Sequence, residues 1–182
     1  STTLLRYIPD GQNGETATIS FRAWDGTSGS PSTNGIRSFA DASTNGGSSA
    51  FSTGTAQAIL TVTAVNDAPV NTVPSEQLVL QDGTLIFSGA NGNQISVSDL
   101  DAGVGAVRVT LIPTNGLLSL SNTLGLSFLV GSGTGDAAMS FEGTLSDINE
   151  ALNDLSFQPT PGYYGPASMQ IMTNDLGLSG SG

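Results

Sequence analysis

Apolar residues in this chain recur mostly at every second position, in short runs broken by Gly, Asn, Asp and Pro. Such alternation lines one face of an extended strand with apolar side chains, and the breakers supply tight turns. Ala56-Gln-Ala58-Ile-Leu60-Thr-Val62-Thr-Ala64-Val reads as a long strand that closes a module. Asn66-Asp67-Ala68-Pro69 after it reads as a linker, because proline cannot continue a central strand. Beyond the linker the pattern predicts strands over 77–80, 85–88, 94–97, 107–112, 117–120, 126–130 and 138–141, with turn signals at Asp82-Gly83, Asn91-Gly92 and Asn115-Gly116. One segment changes period. Leu145, Ile148, Leu152 and Leu155 recur at helical spacing and Thr144 with Asp147 forms a capping-box pattern, which predicts a short helix over Ser146 to Asn153. Residues 26–51 form a polar insertion of Ser, Thr, Asn and Gly, too poor in apolar residues to carry a core.

An internal repeat organises these elements. The stretch from Leu5 through Tyr7, Pro9, Ala17, Ile19 and Phe21 to Asp25 matches the stretch from Leu155 through Phe157, Pro159, Ala167, Met169 and Ile171 to Asp175, 150 positions later. The chain is thus expected to hold the end of one module, residues 1–66, and a second module, residues 67–182, that stops before its own final strand. A chain of 182 residues accommodates roughly one and a half modules of about 100 residues each. With 24 Gly and few helix formers, the fold class is all-β.

Charge and composition narrow the function. Fifteen carboxylates against four arginines (Arg6, Arg22, Arg37 and Arg108) leave a net charge of −11, a surface that repels phosphate backbones and anionic lipid headgroups. Neither nucleic acid nor a membrane surface is an expected partner. The chain has no Cys and no His, which removes disulfides, thiolate and imidazole metal sites, and Ser/His or Cys/His nucleophile pairs. Asp147 and Glu150 read as a solvated helix face rather than a glycosidase pair, so no enzyme is expected. A cysteine-free, acidic chain rich in Gly, Ser and Thr fits an extracellular or cell-surface setting.

Four motifs carry a family resemblance: Val62-Thr-Ala-Val-Asn66-Asp67-Ala-Pro69, Val97-Ser-Asp99-Leu-Asp101-Ala-Gly103, Leu155-Ser-Phe-Gln-Pro159 with Gly162-Tyr-Tyr-Gly165, and Thr173-Asn174-Asp175-Leu-Gly177. In these the chain resembles the cadherin-like and Ig-like tandem β-sandwich repeats of giant bacterial surface proteins and adhesins. The resemblance implies Ca2+ at the junctions between modules, and with the repeat and the missing catalytic residue types it points to a structural or adhesive role. Where the repeat is cut gives two expectations: the segment is a window on a longer covalent array, or separate copies join head to tail into a fibre, each lending residues 1–66 to complete its neighbour's sandwich. The linker is less acidic than a cadherin's, which bears on the number of ions. The residues support calcium on their own chemistry as well. Calcium takes six to eight oxygen ligands, and Asp and Asn on loops supply them. If the strands alternate in direction, the Asp99/Asp101 loop and the Asn174/Asp175 loop point to the end that carries Asn66 and Asp67. Four converging carboxylates, Asp67, Asp99, Asp101 and Asp175, repel one another unless a cation neutralises them. Taken singly, each Asp also reads as a turn residue bonded to its own backbone. Asp25, the repeat equivalent of Asp175, is assigned to the preceding junction, and Asp82 to the following one.

A second reading is a binding module for a surface carbohydrate or protein, in which the insertion or the aromatics Trp24, Tyr163 and Tyr164 contact the ligand. Beside strands, such aromatics also serve as packing.

Overall fold

The computed structural model describes residues 6–10, 14–33 and 35–178 and divides after Thr63 into two compact units. Leu5 and residues 11–13, part of the first copy of the repeat, lie outside the described residues. Secondary structure is mostly antiparallel β with one short helix, the all-β class that the alternation predicts.

In the first unit β1 (Glu15–Phe21) pairs antiparallel with β2 (Ala56–Val62), in a register that sets Ile19 opposite Ala58 and Phe21 opposite Ala56. Alternation puts Ala17, Ile19 and Phe21 on the same face as Ala56, Ala58 and Leu60. That face stays open, with Phe21 51% and Leu60 50% exposed. The ladder continues past the named strands. The Ser52 N–H donates to the Ala23 carbonyl at 3.0 Å, the Asp25 N–H donates to the Ala50 carbonyl at 3.0 Å, and Trp24 forms a bridge with Phe51. The polar insertion is therefore the loop of a long hairpin.

The second unit contains β3 (Val70–Thr72), β4 (Leu85–Phe87), β5 (Ser96–Ser98), β6 (Ala106–Pro113), β7 (Gly116–Ser119), β8 (Ser127–Val130), β9 (Met139–Thr144), α1 (Leu145–Leu152), β10 (Leu155–Pro159) and β11 (Met169–Asn174). Three antiparallel sheets result, in the orders β4-β10-β7, β11-β6-β9-β8 and β3-β5. The alternation of β6 explains its central place. Val107, Val109 and Leu111 point one way and are fully buried, meeting Met139 and Phe141 of β9 in one core cluster. Leu118, Leu155 and Phe157 of the three-stranded sheet join the same cluster, as do Ile148, Ala151 and Leu152 of the helix. Each large side chain so buried contributes about 1.5–3 kcal/mol. Gly116 lets β7 approach β10, because a Cβ there would stand 2.4 Å from the Phe157 ring.

The helix starts where the capping pattern puts it. The Thr144 Oγ1 accepts from the Asp147 N–H at 3.2 Å, satisfying an N-terminal backbone group with no partner inside the helix. Asp154, at φ 68°, turns the chain into β10. Two parts of the strand pattern need correction. Residues 77–80 form no strand: Leu78 and Leu80 are 93% and 85% exposed, without a ladder partner, and the chain turns at Asp82, where the Gly83 N–H donates to the Leu80 carbonyl at 2.9 Å. In their place the three residues of β3, too short to show alternation, pair with β5.

Candidate metal site

Three loops position the candidate residues. Asn66 and Asp67 precede β3, Asp99 and Asp101 follow β5, and Asn174 with Asp175 ends β11. Pairing of β3 with β5 draws the first two loops together, and the Asp67 N–H donates to Asp101 Oδ2. The third loop is tied in by side chains: Asn66 Nδ2 donates to Asp175 Oδ2 at 2.6 Å, and Thr173 Oγ1 donates to Asn71 Oδ1 at 2.6 Å. The second unit thus brings six of the seven candidate residues to one end.

Each acidic loop is also a turn in its own right. Asp99 Oδ1 accepts from the N–H groups of Asp101 (2.8 Å) and Ala102 (3.0 Å). Asn174 Oδ1 accepts from Leu176 N–H at 2.7 Å and Asp175 Oδ1 from Gly177 N–H at 3.0 Å. The Asn66 amide and the Gly177 N–H, the amide first, hold the Asp175 carboxyl below its ordinary pKa because they bond its ionised form.

Turn formation does not account for all of the carboxylate oxygens. Asp101 is only 4% exposed, and its Oδ1 is buried without a hydrogen-bond partner. Asp99 Oδ2, from the same short loop, is in the same condition. A buried acceptor left unsatisfied is costly, and more so when charged. Arg108 offers these groups no compensation, being engaged by Glu142 through Nε at 2.9 Å and Nη2 at 2.6 Å. Among the described residues no three of His, Cys, Asp and Glu stand close enough to hold a metal by carboxylates alone. A cation here would need amide, backbone or water oxygens as well, all of which suit calcium.

The remaining sequence candidates lie elsewhere. Asp25, in the first unit, accepts through Oδ1 from the N–H (2.8 Å) and Oγ1 (2.7 Å) of Thr27, bonds that lower its carboxyl pKa, the hydroxyl first. Asp82 Oδ1 accepts from Gly162 N–H at 2.7 Å, a tie between two loops. The Tyr163 hydroxyl donates to the Pro166 carbonyl at 2.9 Å and accepts from Asn115 Nδ2 at 3.0 Å, so this tyrosine fastens its own loop. Asn149, which the sequence did not single out, stands in for a strand. Its Nδ2 donates to the Val97 carbonyl and its Oδ1 accepts from the Val97 N–H, both at 2.8 Å, which secures β5 just before the acidic loop.

Comparison with family models, with curated proteins and with solved structures returned no match for this chain.

Proposed function

We propose that the second unit is an Ig-like or cadherin-like β-sandwich repeat whose linker end binds calcium, and that the protein serves as a structural or adhesive segment at a cell surface. The single observation that carries the reading is the pair of buried, unpartnered oxygens, Asp99 Oδ2 and Asp101 Oδ1, where the linker meets two acidic loops. A cation neutralises such a pair, and the donors at hand are all oxygens. Asp99 and Asp101 would hold the ion, with Asn66, Asp67, Asn174 and Asp175 around them. Bound calcium would supply charge neutralisation and stiffen the linker against the module. The extracellular setting rests on the millimolar calcium found there and on a composition without Cys. The net charge of −11 opposes a nucleic-acid or membrane-surface role.

Calorimetric titration of point variants tests the assignment. Asp99→Ala and Asp101→Ala should each weaken calcium binding by tenfold or more, whereas Asp147→Ala should leave it unchanged. Equal losses in all three would mean that calcium acts only by screening the net charge.

One observation favours the carbohydrate-binding reading. Trp24, 39% exposed, lines an open depression with Asp25 and Phe51 in the first unit. Its indole N–H is already donated to the Ser28 carbonyl at 2.7 Å, which leaves the ring for stacking. Glycan-array binding lost in Trp24→Ala would establish this reading, and an array without signal would remove it.

A further inference from the structure

The strand β5 is only three residues long, yet the acidic loop hangs from its C-terminal end. One of its edges is satisfied by β3, in a register that sets Thr72 opposite Ser96, Asn71 opposite Val97 and Val70 opposite Ser98. Along an antiparallel strand the backbone groups of successive residues face opposite edges, so while Ser96 and Ser98 bond β3 the N–H and carbonyl of Val97 face away from it. Among the described residues no strand covers that second edge. Val97 is 3% exposed, and a buried backbone group without a partner is costly.

The side-chain amide of Asn149 takes both groups. Its Oδ1 accepts from the Val97 N–H and its Nδ2 donates to the Val97 carbonyl, each at 2.8 Å. An amide offers donor and acceptor side by side, as the backbone of a neighbouring strand does. Ionised aspartate has no donor to give, and an apolar side chain has neither group. The element that carries this amide is itself held firmly. Ile148, Ala151 and Leu152 of α1 are fully buried in the core, and the Asn149 carbonyl accepts from the Asn153 N–H at 3.1 Å.

Asp99 follows Val97 by two residues. The bonds from the Asp101 and Ala102 N–H groups to Asp99 Oδ1 fix the shape of the acidic loop, but not its place on the module. That place is set by the direction in which the chain leaves β5, anchored by β3 on one edge and by Asn149 on the other. Where Asp99 Oδ2 and Asp101 Oδ1 stand relative to the linker therefore depends on an amide that touches neither of them.

We infer that Asn149 is the positioning residue of the metal site: by standing in for a strand beside Val97 it holds the Asp99–Asp101 loop in place and couples α1 to the ion. The hold on the loop rests on hydrogen bonds alone, and its effect on the ion rests on the calcium reading above. Removing a group that orients metal ligands typically weakens binding by roughly 10–100-fold. Coupling of this kind is reciprocal, so the ion should in turn tighten the bonds between Asn149 and β5.

Amide hydrogen exchange and calcium titration of the full chain test it, with Asn149→Ala and Phe157→Leu compared against wild type. Phe157 belongs to β10, whose ladder partners are β4 and β7, so its variant loses core packing without touching the β5 ladder. In chelator, Asn149→Ala should speed exchange at Val97, Asp101 and Ala102 by about tenfold or more beyond any change at Val109 in β6, a local opening that Phe157→Leu should not reproduce. Calcium affinity should fall by roughly 10–100-fold in Asn149→Ala and hold in Phe157→Leu. Saturating calcium should slow exchange at Val97 in the wild type. Faster exchange confined to Val97, with Asp101 and Ala102 unchanged, would overturn the inference, as would equal losses of calcium affinity in the two variants. A wild type that binds no calcium, beside an Asn149→Ala variant with loosened Asp101 and Ala102 amides, would sink the calcium reading and leave the hold on the loop standing.

Discussion

Replacing Asp101 by Asn changes the charge of the linker end while keeping its shape. Asn retains an oxygen to accept from the Asp67 N–H, and it removes the charge from a side chain that is 4% exposed with one oxygen unpartnered. An unsatisfied buried polar group costs about 1–3 kcal/mol, and more when charged. The Asn amide brings N–H groups of its own into the same space, so the lower end of that range is the net expectation. In chelator the variant should then be more stable than wild type by about 1 kcal/mol, a rise in Tm of about 4 °C for a unit of this size. Calcium reverses the order. A site with Kd near 1 mM, in the range of extracellular modules, adds about 1.4 kcal/mol to the wild type at ten times Kd. The variant has lost a charged ligand and should gain little. Scanning calorimetry of both proteins, in chelator and in about 10 mM calcium, reads the crossing. Parallel shifts of the two proteins, or a variant less stable than wild type in chelator, would refute the reasoning.

Two further substitutions test individual hydrogen bonds of the second unit. Asn66→Ala removes the main bond that lowers the Asp175 carboxyl pKa, so an NMR titration of that carboxyl should move up toward the ordinary range. A lowered folded-state pKa means stability that is present above the ordinary carboxylate range and lost as pH falls through the folded value. Wild type should therefore lose more stability than Asn66→Ala on acidification below about pH 4, which urea melts at stepped pH would detect. Thr144→Ala should cost the second unit about 1 kcal/mol in urea unfolding by uncapping α1, with Thr144→Ser restoring most of it.

How much of this was legible in the sequence depended on whether a residue's role was local. The β6 strand and the helix were readable because alternation over Val107, Val109 and Leu111, and the spacing from Thr144 to Asp147, each report a structure made within a few residues. The run at 77–80 looked like a strand by the same rule and is not one, because a strand also needs a neighbour to complete its ladder, and pairing is a property of the fold. β3 escaped notice for the opposite reason: three residues carry no period, and its pairing with β5 defines it. At the candidate site, the meeting of the 66–67, 99–101 and 174–175 loops followed from strand direction, which sequence order supplies. The burial of Asp101, and the support that Asn149 gives to Val97 from 52 residues away, depend on packing that no local pattern encodes.

The proposed role turns on whether calcium belongs to the fold. Thermal unfolding of the full chain in chelator and in rising free calcium decides it most directly. The transition of the second unit should climb with the logarithm of calcium concentration once that exceeds Kd, by roughly 6 °C at ten times Kd, and magnesium at the same ionic strength should fail to reproduce the climb. A melting curve that stays in place from chelator to about 10 mM calcium would contradict the account, leaving Asp99 and Asp101 as turn residues that carry a buried cost without an ion to relieve it.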